Sequence, residues 1–170
     1  MGPLYCKKRP AFSSKTGDLD NATFFAGFSY GRPIPKKYSC QGVGISPPLS
    51  FSGVPKEAKS LALIVEDPDV PAHVREDGLW VHWIVYNLSP MVANLAEGAQ
   101  IFAVQGLNTA GEIGYCPPCP PDAKHRYYFY VYALDVVLPE EEGVTKEQLL
   151  EAMEGHVLAT AELMGTYEQD

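Results

Sequence analysis

Long hydrophobic runs are missing from this chain. No stretch approaches the roughly 18 apolar residues that a bilayer demands, so no membrane span is expected. The first 25 residues, "MGPLYCKKRPAFSSKTGDLDNATFF", are polar through their middle and have no leader-like apolar segment. A cytoplasmic location is the default expectation. Positive charge is also short: 13 Lys and Arg stand against 21 Asp and Glu, for a net charge of −8. That excludes nucleic-acid binding by a broad basic surface, which takes clustered cations to neutralise phosphates. The one basic cluster, Lys7-Lys8-Arg9, reads as part of a solvated arm. Cysteine is sparse, and Cys6, Cys40, Cys116 and Cys119 are too scattered for a disulfide scaffold in a chain of this size. Sequence signatures of common chemistries are absent as well. There is no GxxxxGK[ST] nucleotide loop, no GxSxG nucleophile elbow and no spaced acidic loop for Ca²⁺.

Proline and glycine are what the chain has in quantity, 15 of each, beside a hydrophobic fraction of 46%. Such a composition describes a folded domain with long ordered loops rather than a helical bundle. Residues 1–21 read as a flexible N-terminal arm, and 22–170 as a single domain. A first strand is expected within residues 23–28. Residues 31–48 read as a long irregular loop.

Three stronger strands come next. In "KSLALIVEDPD", Leu61, Leu63, Val65 and Asp67 alternate onto one face, so Asp67 extends a core-facing row. Pro68 ends that ladder because it has no N–H to donate. "LWVHWIVYNLS" is apolar in both parities and reads as a central strand. Alternation places His82 there on a face with Trp80, Ile84 and Tyr86. "HRYYFYVYALD" puts His125, Tyr127, Phe129 and Val131 on one face. The tail "TKEQLLEAMEGHVLATAELMG" reads differently. Leu150, Met153, Val157, Ala161 and Met164 recur at helical spacing, Thr145 with Gln148 makes a capping box, and Gly165 fits a C-terminal stop. The expectation is an antiparallel β-sandwich, mainly β, with one C-terminal amphipathic helix.

Candidate chemistry gathers at strand ends. Asp67 and Asp69 are held two apart by Pro68 and Pro71, which suits a polar turn or a carboxylate that fixes a histidine's tautomer. A histidine in a buried strand, as His82 is, needs partners for its ring nitrogens. His125 and Tyr127 open the next strand directly after the stiff loop "CPPCPP" at residues 116–121. Together these groups offer several donors in a partly desolvated place, which suits a phosphate or carboxylate. Zinc is the rival, since Cys116-x-x-Cys119 with His82 and His125 makes a nominal Cys₂His₂ set. Two prolines fill that spacing and no second pair appears, so no metal or other cofactor is expected. A redox CxxC would open a helix, and this one precedes a strand. The prolines restrict φ, so the loop is a preformed rim.

The segments "SLALIVEDPDVP", "WVHWIVYNL" and "PCPPDAKHRYYFYVYALD", in that order, resemble the phosphatidylethanolamine-binding protein family, which includes the Raf kinase inhibitor proteins. The loop "IPKKYSCQGVGISPPLSFSGVP" and the tail fit its bacterial and archaeal branch. The resemblance runs from Phe24 to Tyr167. It implies a β-sandwich with a small anion pocket lined by Asp67, Asp69, Pro71, His82, Pro118, His125 and Tyr127. In that reading His82 and His125 donate to the anion, Asp67 orients a histidine and Tyr127 lines the wall. A phosphorylated or carboxylate-bearing ligand is implied. Kinase or serine protease inhibition through protein contacts, and a homodimer, are what the family permits. A weak hydrolase is a further alternative, although no nucleophile stands out. The rim departs from the family pattern Tyr-Gly-Gly-Pro-Cys-Pro-Pro, reading Tyr115-Cys116-Pro117-Pro118-Cys119-Pro120-Pro121. Two glycines are lost, and oxidation or disulfide formation at Cys116 is a candidate gate for the pocket.

Overall fold

The computed structural model describes residues 23–170. The expected arm at 1–21 lies outside the described residues. Among the described residues, eight strands and one α-helix run in chain order: β1 (Thr23–Ala26), β2 (Leu49–Ser52), β3 (Ser60–Asp67), β4 (Trp80–Leu88), β5 (Asn94–Leu95), β6 (Val104–Gln105), β7 (His125–Leu134), α1 (Lys146–Met153) and β8 (Val157–Tyr167). They form two antiparallel sheets, β1-β2-β5 and β6-β4-β3-β7-β8.

Alternation along the strands builds the layers. Leu61, Leu63 and Val65 of β3 join Phe129 and Val131 of β7 in a core that also takes Leu49 and Phe51 of β2. The opposite parity of the large sheet, with Ala62, Ile64, Ile84 and Tyr86, packs with Leu149 and Met153 of α1. β3 is therefore buried along its whole length, as a strand between two apolar layers must be. Lys146 at the start of α1 pairs with Glu66 of β3, which anchors the helix to that outer layer.

The tail reading divides at Met153. Thr145 caps α1 and exchanges hydrogen bonds with Gln148, the expected capping box. The helix then ends, Gly155 takes φ +78°, and residues 157–167 form β8 instead of further helical turns. The apolar residues of this stretch also include a set with a period of two: Val157, Ala159, Leu163 and Tyr167 are buried. Pairing with the whole length of β7 outweighs the helical period, because β7 would otherwise be left as a long unpaired edge. Gly165 is thus a packing position within a strand and not a helix stop. A Cβ there would sit 2.5 Å from the Phe28 ring.

One irregularity in β4 redirects a histidine. Val65 pairs with Trp83 and the adjacent Glu66 pairs with Val81, so His82 is an extra residue in a β-bulge. The bulge breaks the expected alternation. Val81 stays with Ile84 and Tyr86 on the helix side, whereas His82 turns to the face of Trp83. The expectation that His82 shares a face with Ile84 and Tyr86 is therefore corrected.

Candidate functional site

The ends of β3, β4 and β7 and the loop before β7 enclose a cavity of about 310 Å³. Asp67, Trp80, His82, His125 and Tyr127 line one part of it, and Val70, Val74, Cys116, Pro117, Cys119, Pro120 and Pro121 line the rest. The strand ladder sets this arrangement. Asp67 is the last residue of β3, and His125 and Tyr127 lie two apart on the same face of neighbouring β7. The bulge in β4 then turns His82 toward Tyr127, and the rings meet edge-on with centroids 5.2 Å apart.

Asp67 is buried and fully engaged. Its Oδ1 accepts from the Asp69 N–H at 2.8 Å, closing the turn that Pro68 begins. Its Oδ2 accepts from Nδ1–H of His125 at 2.6 Å. The other ring nitrogen of His125, Nε2, donates to Asp122 Oδ1 at 2.9 Å. Since a carboxylate only accepts, both nitrogens carry protons and the ring is an imidazolium. Burial works to lower the His125 pKa, but the hydrogen bonds to Asp67 and Asp122 prevail and raise it.

His82 is in the opposite condition. Its Nδ1 lies 2.8 Å from the carbonyl oxygen of Cys116, which can only accept, so Nδ1 carries the proton. The Cys116 N–H returns a hydrogen bond to the His82 carbonyl at 2.8 Å. Burial lowers the His82 pKa, and the ring is neutral. Its Nε2 therefore presents a lone pair.

Tyr127 is fully buried, and its hydroxyl makes no well-formed hydrogen bond among the described residues, although the Asp67 carboxylate lies close enough to act on it. Burial and the nearby Asp67 raise its pKa, so the group remains an O–H donor. A buried donor without a well-formed hydrogen bond is costly and calls for an explanation.

The rim is held from several sides. Cys40 and Cys119 form a disulfide, and the Cys40 N–H donates to the Pro118 carbonyl at 3.0 Å. Gln169 donates to the Pro120 carbonyl at 2.6 Å, and the Tyr115 hydroxyl donates to the Tyr38 carbonyl at 2.9 Å. The disulfide corrects the sequence reading of the cysteines. Cys116 is a free thiol, with its pKa raised by burial, and the bonded pair joins Cys119 to a cysteine 79 residues away. The partner was hidden because both cysteines sit in irregular loops, where no periodicity predicts proximity.

The other expected residues sit apart from the cavity lining. Asp69 accepts from Arg126 through its main-chain N–H and both arms of the guanidinium, at 2.9, 2.8 and 2.6 Å. Those bonds lower its pKa and tie the turn after β3 to the start of β7. Pro71 supplies the carbonyl that Val74 and Arg75 bond to, and Pro118 is buried against Cys40. Sequence reasoning missed Asp122. An acidic residue three positions before His125 was the available signal. Among the described residues, no group of three His, Cys, Asp or Glu side chains is placed to hold a metal ion.

Comparison with known proteins identifies the family and the fold. A family model for phosphatidylethanolamine-binding protein matches residues 26–168. A UPF0098 protein of Chlamydia muridarum is 93% identical over 143 residues, covering 84% of this chain and 95% of that protein. A phosphatidylethanolamine-binding protein homologue from Chlamydia trachomatis superposes with a TM-score of 0.87 at 85% identity, over 88% of this chain and 98% of that one. Escherichia coli YbcL, described as a member of the mammalian family, gives a TM-score of 0.77 at 30% identity, over 88% of this chain and 99% of that one. The chain belongs to the phosphatidylethanolamine-binding protein family.

Proposed function

We propose that the protein binds a small oxyanion, the phosphate of a phosphorylated head group or a carboxylate, in the cavity between β4 and β7. The observation that carries this is the Tyr127 hydroxyl. It is a buried donor beside Asp67 that makes no well-formed hydrogen bond among the described residues, in the wall of a cavity of about 310 Å³. An oxyanion supplies a well-placed acceptor.

The tautomer of His82 refines the ligand. A neutral ring with its Nδ1 proton committed to Cys116 accepts at Nε2. It binds a hydroxyl of a singly protonated phosphate, or takes up a proton when a fully ionised ligand enters. Either route makes binding stronger as pH falls toward 6, since a phosphate monoester loses its last proton at a pKa of about 6. Titration of the protein with inorganic phosphate and phosphoethanolamine, followed by NMR, tests the reading. Signals of Tyr127 and His82 should move in the wild type, and the response should be lost in His82→Ala. Unmoved Tyr127 and His82 signals at saturating ligand would defeat it.

A hydrolase is less well supported. The free thiol in the cavity wall, Cys116, has its pKa raised by burial and is a poor nucleophile at neutral pH. Kinase or protease inhibition and a homodimer rest on family likeness, and the cavity geometry adds nothing to either. Among the described residues no helix is long and apolar enough to cross a membrane. We place the protein in the cytoplasm as a proposal. A reducing cytoplasm would hold Cys40 and Cys119 as thiols, so the rim there would be untied.

A further inference from the structure

The His125 side chain has two N–H groups. Nδ1–H is bound by Asp67, and Nε2–H is bound by Asp122 at 2.9 Å. The two carboxylates differ in their setting. The Asp67 side chain is 3% exposed, whereas that of Asp122 is 50% exposed and sits at the end of the proline-rich rim. Asp67 also accepts from the backbone of Asp69, which holds it in place. Among the described residues, His125 is the one hydrogen-bond partner of the Asp122 carboxylate. One carboxylate is a fixture of the strand, and the other is an exchangeable partner in contact with solvent.

We propose that Asp122, which lies next to the cavity rim and outside its lining, sets the affinity of the cavity for small anions: it is a resident carboxylate that an incoming oxyanion displaces from Nε2–H of His125. This rests on the anion-binding reading of the cavity. Asp122 presents to Nε2–H the same chemical group that a carboxylate ligand would present. While it stays, two carboxylates outweigh one imidazolium around neutral His82, and a further anion meets net negative charge. Once it swings out, His125 offers a charged donor in the wall that also holds Tyr127. The exchange keeps Nε2 hydrogen-bonded throughout, so it leaves no buried donor unpaired. Affinity for a small anion is therefore set by competition with Asp122 as well as by contacts to the ligand.

The test compares the full chain with Asp122→Asn and Asp122→Ala, titrated with inorganic phosphate and separately with acetate at fixed pH and salt. Removing the competing charge should tighten phosphate binding by about tenfold in Asp122→Ala, the worth of one charge-assisted hydrogen bond. Asp122→Asn should fall between, because its amide oxygen still accepts but carries no charge. In the wild type, saturation with phosphate should shift the Asp122 carboxyl carbon and the His125 Nε2 signals together. Unchanged amide signals along β7 would show that the variants keep the fold. Equal or weaker binding in both variants, with Tyr127 and His82 still responding, would overturn the role of Asp122 and leave the cavity reading intact. If Tyr127 and His82 respond in none of the three proteins, the cavity reading fails and this inference falls with it.

Discussion

On the β4 wall of the cavity, His82 gives its Nδ1–H to the Cys116 carbonyl and stays neutral; on the β7 wall, His125 gives both ring protons to carboxylates and is held as a cation. The rings belong to one cavity, and both residues are buried. Their partners and the depth of their burial make the difference. A carbonyl oxygen satisfies one N–H without charge, so desolvation decides and the His82 pKa falls. At His125, which is less deeply desolvated than His82, two carboxylates outweigh burial, and its pKa rises. Low exposure alone therefore does not predict a histidine's charge. Depth of burial and the chemistry of the acceptor decide it together.

The largest way to break this contrast is to remove Asp67. Asp67→Ala removes the buried partner of the His125 imidazolium and leaves only the solvent-facing Asp122, so it should cost about 3 kcal/mol, the low end of the penalty for breaking a buried pair from one side. Urea unfolding of the wild type and the variant measures it. A loss under about 1 kcal/mol would mean that Asp122 alone sustains the cation. The His125 pKa should also drop toward its ordinary value in this variant, which a histidine NMR titration reads directly.

Untying the rim should have the next largest effect, and it separates the two walls. The disulfide closes a separation of 79 residues, so Cys40→Ser should lower stability by about 2–4 kcal/mol. The Cys116 end of the loop keeps its paired hydrogen bonds with His82, whereas the Cys119 end loses its covalent tie. The His82 signals should hold while those of Asp122 and His125 broaden or shift. Equal disturbance of both histidines would show that the rim moves as one body.

The pH dependence of stability should carry the two histidines with opposite signs. The raised pKa of His125 contributes stability that is full below its unfolded value of 6.5 and is lost as pH rises through the folded pKa. The lowered pKa of His82 contributes in the reverse sense. Below 6.5 the unfolded chain takes up a proton that the folded ring refuses, so stability falls as pH drops toward the folded pKa. Each slope approaches about 1.4 kcal/mol per pH unit at most. His82→Gln should flatten the acid limb of a stability–pH curve and leave the alkaline limb. An unchanged acid limb would count against a neutral, buried His82.

Much of this site could be read from alternation alone. Leu61, Leu63, Val65 and Asp67 do share a face, as do His125, Tyr127, Phe129 and Val131, because a strand's period of two is a local property. The capping box at Thr145 was equally local. What failed depended on contacts distant in sequence. The extra residue at His82 is defined only by its pairing with β3, so the sequence showed the histidine but gave it the wrong neighbours. Residues 157–167 satisfy helical and strand periods at once, and only the presence of β7 alongside selects the strand. The Cys40–Cys119 bond spans two irregular loops that no periodicity relates.

The smallest expected effect on stability bears most directly on function. Tyr127→Phe removes a hydroxyl that makes no well-formed hydrogen bond among the described residues. Deleting an unsatisfied buried polar group is close to neutral or slightly stabilising, so the change in unfolding free energy should stay within about 1 kcal/mol. Asp67 and both histidines keep their partners, so the pKa values of the two rings should stay apart. Phosphate affinity should nevertheless fall by about tenfold, the worth of one hydrogen bond to a charged acceptor. A stable variant with reduced binding would make the hydroxyl a ligand contact. A variant that is destabilised by several kcal/mol would instead mean that the hydroxyl supports the Asp67 carboxylate, and its place in the contrast between the walls would shift from ligand to framework.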